Sequence, residues 1–178
     1  MLLHKAEHLY EKYIKNQYLR IGLAACVLVV LSLALGTQEY LGSGMGIIEH
    51  IFHEGETAPL AFLLKMLFTA VTLAAGFKGG EIVPTFCIGA TFGCVVGGLL
   101  GLDAGICGAL GLIGLFCCAT NSPLASIVLS IEMFGGANLY VFALVCVICF
   151  VLSGNSGLYA SQIIQFDKAS TIQSARES

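Results

Sequence analysis

Six apolar runs, separated by short breaks rich in glycine, serine and proline, set the pattern of this chain. Residues 21–36 are apolar apart from Ser32 and predict a membrane helix, slightly short for a straight crossing and extendable through its flanks. Residues 59–75 predict the next, with Pro59 in its first turn, where a missing N–H leaves no bond unmade. Residues 82–102 hold 21 positions without a charge, enough to cross a bilayer at about 1.5 Å of rise per residue. Residues 104–119 form a fourth run. The polar break Thr120-Asn121-Ser122-Pro123 then precedes a short segment over 124–134, which closes on Glu132, Met133 and two glycines. Residues 139–152 are apolar throughout and run into a glycine–serine hinge over 153–157. A short amphipathic helix is expected from Leu158 to about Phe166, followed by a frayed polar tail over 167–178. The chain thus divides into a surface helix or cytoplasmic linker (1–20), a transmembrane region (21–166) and the tail. Starting without a membrane segment of its own, the linker reads as an interior loop of a longer protein.

The connections differ in charge. Residues 1–20 carry Lys5, Lys12, Lys15 and Arg20, half of all lysine and arginine, which places them in the cytoplasm by the positive-inside rule. Residues 37–57 hold Glu39, Glu49, Glu54 and Glu56 and no lysine, and are expected on the opposite face, with a short helix near residues 47–53. His50 and His53 share one face of that helix. No H-E-x-x-H arrangement accompanies them, so no metal site is assigned. Tryptophan is absent, which leaves interfacial anchoring to tyrosines such as Tyr18, Tyr40 and Tyr140.

Composition supports a membrane chain. Hydrophobic residues make up 57% and charged residues 11%, with a mean hydropathy of +0.91; soluble domains average about 25% charged. Long continuous runs argue against a β-barrel, whose strands alternate. The absence of a basic patch excludes nucleic-acid binding. Eight cysteines all lie in apolar runs and read as small packing residues, including the C-x-x-C pair Cys146 and Cys149. No serine–histidine–acid set or nucleotide loop supports enzyme chemistry, and no cofactor is implied.

Candidate chemistry concentrates where apolar helices break. Short or interrupted membrane segments bring polar backbone ends to mid-membrane, the best sequence pointer to a transport site. Three breaks stand out: Gly79–Pro84, Thr120–Pro123 and Ser153–Tyr159. In the first, Gly79 and Gly80 precede Glu81, Ile82, Val83 and Pro84. The N–H groups of Glu81, Ile82 and Val83 lie at the positive end of a helix, where an anion can be held without a cationic side chain. The hydroxyl of Tyr159 is a second donor suited to a small anion. Gly79, Pro84 and Pro123 serve as supporting hinges. Gly89, Gly93, Gly97, Gly101 and Gly105 recur every four residues and read as a packing stripe. Asp103 is expected to cap the following helix. Lys65, inside a membrane segment, either snorkels to the interface or lines an aqueous vestibule attractive to anions. Glu132 reads as functional, or as a cap or interface partner.

These residues resemble the CLC family of chloride channels and chloride/proton antiporters. Gly80-Glu81-Ile82-Val83-Pro84 is similar to the family's G-x-F-x-P anion motif, with Ile82 in place of phenylalanine. Residues 121–133 resemble the stretch R-A-P-L-T-G-I-x-L-x-x-E-M. Gly157-Leu158-Tyr159 resembles the segment whose tyrosine hydroxyl contacts the central anion. The resemblance implies an all-α, polytopic integral membrane protein, the second inverted-repeat half of the CLC fold, with broken and re-entrant helices. It implies that Gly80, Glu81, Ile82, Val83 and Tyr159 form the anion-binding wall. The first half's G-S-G-x-P motif, its gating-glutamate motif and the internal proton glutamate are absent, and Glu81 stands at a different helix start from the gating glutamate. The expected function is transport of chloride or a related halide across a prokaryotic inner or plasma membrane, with protons as possible co-substrate. The partners are the lipid bilayer, a missing N-terminal half and a second copy in a homodimer, and the chain alone is expected to be inactive. The G-E-x-x-P form is similar to a branch related to fluoride/proton antiporters. A non-transporting membrane assembly protein and an unrelated secondary transporter are the alternatives.

Overall fold

The computed structural model describes residues 16–77 and 79–154, and among them every regular element is an α-helix. In chain order these are α1 (Gln17–Leu35), α2 (Met45–Glu54), α3 (Ala61–Ala74), α4 (Ile82–Leu99), α5 (Ala104–Thr120), α6 (Pro123–Phe134) and α7 (Leu139–Leu152). Windows in two of them, Tyr18–Leu35 and Ile82–Leu99, are long and apolar enough to cross a membrane, whereas α3, α5, α6 and α7 are shorter apolar helices. α1 begins at Gln17 and includes Arg20 in its first turn. Pro59 lies before α3 rather than inside it. The short amphipathic helix and the tail lie outside the described residues.

Helix ends follow local chemistry. Gly36 adopts a left-handed conformation at φ 66° and returns its N–H to Leu33, closing α1. Asp103 accepts the Ile106 N–H at 2.8 Å and caps α5 as expected. Asn121 is left-handed at φ 55°, which ends α5, and Pro123 opens α6 two residues later.

Helices α4 and α5 form the pole of the structure. They run antiparallel, since the partner's number falls as the position along α4 rises. The Phe86 ring meets Phe116 at 5.2 Å. Farther along, Gly89 faces Gly111 and Leu112, Gly93 faces Cys107 and Gly111, and Gly97 faces Cys107 and Ala104. A Cβ on Gly89 would lie 2.5 Å from the Gly111 carbonyl oxygen, so glycine there sets the backbone separation. The packing stripe is therefore Gly89, Gly93 and Gly97, answered by Gly111. Gly101 falls in the turn at φ 68° and Gly105 on the next helix, because α4 ends at Leu99.

The other helices surround this pole. Ile51 of α2 approaches Gly108, and the Cys94 thiol donates to the Gly55 carbonyl at 3.7 Å. Phe62 of α3 packs edge-on to Phe92 at 5.4 Å. On the other side α7 runs in the same sense as α5. The Cys117 thiol donates to the Cys146 carbonyl at 3.3 Å and the Cys118 thiol to that of Cys149 at 3.4 Å. The cysteines act as packing residues here, with Cys87, Cys117 and Cys146 fully buried. Phe134 at the end of α6 stacks on Phe142 at 5.5 Å and also meets Phe52.

Candidate anion site

The breaks singled out in the sequence converge. The Phe86–Phe116 contact joins the second turn of α4 to the penultimate turn of α5. The Thr120–Pro123 hinge therefore lies at the same end as Gly79–Pro84. The thiol–carbonyl contacts bring the last turn of α7, and so Ser153 and Gly154, to that end as well. The end of α3 joins them: Arg20 donates from Nε to the Ala75 carbonyl at 3.0 Å and lies against Gly76. Tyr159 lies outside the described residues.

At the start of α4, Ile82 is the first helical residue, and Pro84 sits within the first turn, where no intrahelical N–H bond is lost. The first ladder bond is Thr85 N–H to the Glu81 carbonyl at 3.2 Å, and the Thr85 hydroxyl donates to the same oxygen at 2.7 Å. Glu81 takes the N-cap position without a side-chain cap bond and is half-buried. Among the described residues, the N–H groups of Ile82 and Val83 meet no acceptor. A helix start leaves such donors without an intrahelical partner. Gly79 and Gly80 are exposed, with open space where side chains would project. Among the described residues, two cavities lie elsewhere. One, of about 360 Å³, is lined by Glu39, Tyr40, His50 and Glu56. The other, of about 420 Å³, is an apolar groove along α3, α4, α5 and α7.

Two expectations are corrected by one cluster. Lys65 neither snorkels nor lines a vestibule: it is 1% exposed. Its Nζ donates to the Tyr40 carbonyl at 3.1 Å and to the Gly42 carbonyl at 2.7 Å. The connection from α1 to α2 is correspondingly not all at the surface. Residues Tyr40 and Gly44 are buried, and Gly44, at φ 79°, sits so close to Lys65 and Cys87 that a Cβ would come within 3.0 Å of both. Non-helical backbone at this depth persists because Lys65 satisfies its carbonyls. Tyr40 is thus a core residue beside Phe68 rather than an interfacial anchor, while Tyr18 and Tyr140 are exposed. The sequence signal was available in an otherwise apolar segment containing one lysine, but its acceptors lie more than twenty residues away. Glu132 is exposed on α6 and, among the described residues, forms no hydrogen bond or ion pair. His50 pairs with Glu54 at 3.3 Å on the surface of α2.

Comparison with known proteins identifies the family. A chloride/fluoride channel protein of Pseudomonas syringae pv. tomato is 35% identical over 171 residues, covering 93% of this chain and 38% of that protein. An uncharacterized protein of Methanocaldococcus jannaschii is 35% identical over 100 residues, covering 54% of this chain and 25% of the other. A crystal structure of a CLC-type fluoride/proton antiporter superposes with a TM-score of 0.85 at 33% identity, covering 89% of this chain and 40% of that one. The chain therefore spans about two-fifths of the length of these better-covered relatives. Residues 1–154 match the family described as voltage gated chloride channel. The chain belongs to that family of membrane proteins, and its fold matches about two-fifths of a CLC-type antiporter.

Proposed function

We propose that this chain supplies one wall of the ion path of a halide transporter, in the second half of a CLC-type molecule. The observation that carries the reading is the convergence of the α4 start, the α5–α6 hinge and the α7 end. Backbone dipoles at Gly80, Glu81, Ile82 and Val83 replace part of the anion's water shell, and the Tyr159 hydroxyl supplies a further donor. Gly79 gives the backbone its open approach, while Pro84 and Pro123 fix the two helix starts. The protein sits as a multi-pass chain in a prokaryotic inner or plasma membrane, and its complete form is a homodimer. The opposite wall of the path comes from a further membrane half. Both a chloride/fluoride channel protein and a fluoride/proton antiporter stand among the relatives, which favours fluoride beside chloride and proton coupling beside channel conduction.

Ion flux from liposomes tests the reading. The full-length protein is expected to release chloride or fluoride, with a response to an imposed pH gradient if protons are coupled. This chain alone is expected to release neither. Robust flux from the isolated chain would overturn the two-wall arrangement, and no halide flux from the full-length protein would overturn the transport function.

A further inference from the structure

We propose that Lys65 is the fixed positive charge that sets how tightly an anion is held at the start of α4. This rests on the reading of that helix start as the anion site. Three observations carry it.

First, the charge is buried and unpaired by any carboxylate among the described residues. Lys65 is 1% exposed, and its described hydrogen-bond partners are the neutral carbonyls of Tyr40 and Gly42. These carbonyl acceptors carry no net charge of their own. Their dipolar fields fall away with distance faster than the field of the ammonium, so the unit charge persists at long range.

Second, that charge lies near the helix start. A Cβ on Gly44 would stand 3.0 Å from the Lys65 nitrogen and 2.9 Å from the Cys87 sulfur, so those two atoms are less than about 6 Å apart. Cys87 lies five residues along α4 from Ile82, about 7.5 Å of rise. Its side chain leans back toward the helix start. The ammonium is therefore within roughly 15 Å of the Ile82 and Val83 N–H groups. At an effective dielectric near 20, a unit charge at about 12–15 Å strengthens binding of a monovalent anion roughly five- to tenfold.

Third, the residue that opens α4 is acidic. Glu81 is the N-cap residue, and its carboxylate makes no cap bond to the donors of the first turn. Lys65 offsets the repulsion between that carboxylate and an entering anion. The connection from α1 to α2 is then the device that holds the ammonium in place, through two carbonyls and a glycine that leaves it room.

Halide affinity, measured by titration calorimetry on the purified full-length protein with fluoride, chloride and bromide, tests the proposal. Lys65→Arg keeps the charge and is expected to bind within about twofold of wild type. Lys65→Gln keeps donors for the carbonyls but loses the charge, and should weaken each halide roughly five- to tenfold by a common factor. A distant unit charge acts alike on all monovalent anions, whereas a distorted site changes their relative affinities. Wild-type affinity in Lys65→Gln, or factors that differ strongly among halides, would overturn the role of Lys65. Should that variant not fold, Cys87→Asp is measured instead. It sets a carboxylate beside the ammonium with both carbonyl bonds kept, and the same common weakening is expected; unchanged affinity overturns the proposal. A crystallographic bromide position separates the two levels. Bromide away from Ile82 and Val83 removes the site itself, while bromide there with affinity insensitive to Lys65 removes only the electrostatic role.

Discussion

A methyl group at Gly89 would stand 2.5 Å from a backbone oxygen of the facing helix, and relieving that clash requires α4 and α5 to separate. Gly89→Ala should therefore destabilise the protein by about 2–3 kcal/mol, read as an earlier thermal unfolding transition in detergent. Gly98, on the same helix, has nothing within 4 Å of its Cβ direction. Gly98→Ala is expected to stay within about 0.5 kcal/mol of wild type. Equal effects at the two positions would mean that close backbone approach is not what glycine provides on α4. Tyr159→Phe in the full-length protein should weaken halide binding roughly ten- to a hundredfold, the loss of one hydrogen bond to a charged group; unchanged halide affinity would remove that hydroxyl from the site. At this scale the sequence was readable where chemistry is local, as at Asp103, whose cap involves a residue three positions away. It was unreadable at Lys65 and Tyr40, where burial depends on groups brought together from distant parts of the chain.

Among the elements, long apolar runs and their breaks located α1 and α3 to α7 within a few residues, because a membrane helix needs length and its ends need glycine, asparagine or proline. The periodic glycines were legible as a stripe, but its extent was not. Nothing in the four-residue repeat reveals that the helix stops at Leu99 and that Gly101 belongs to a turn. The burial of Tyr40 and Gly44 in the connection before α2 was not legible for a different reason. Glycine, serine and glutamate compose both a surface loop and a partly buried turn, and the lysine from α3 marks this one as the latter. Asp103→Ala should cost about 1 kcal/mol by uncapping α5, measurable as faster amide exchange at Ile106; exchange as slow as wild type would show that the cap contributes nothing.

For the whole molecule, the convergence of broken helix ends could be anticipated only as a list of breaks, since their meeting requires the antiparallel α4–α5 pair and the alignment of α7 with α5. The broad apolar faces of α6 and α7, with Leu124, Val128, Tyr140 and Leu144 exposed, suit lipid or another protein surface. In the homodimer proposed above, a charge at Val128 is expected to shift full-length protein from dimer to monomer in mild detergent, followed by light scattering. Val128→Lys that remains fully dimeric would place the interface elsewhere.

The glycine-faced pairing of α4 and α5 also bears on how the protein is made. The two helices are joined by only Leu100–Asp103, and their contacts are sequence-local, so little chain entropy opposes their meeting. They can leave the translocation machinery as a preassembled hairpin before the last helices are synthesised. The start of α4 would then acquire its depth in the bilayer early in biogenesis, and later helices would assemble around an end already in place.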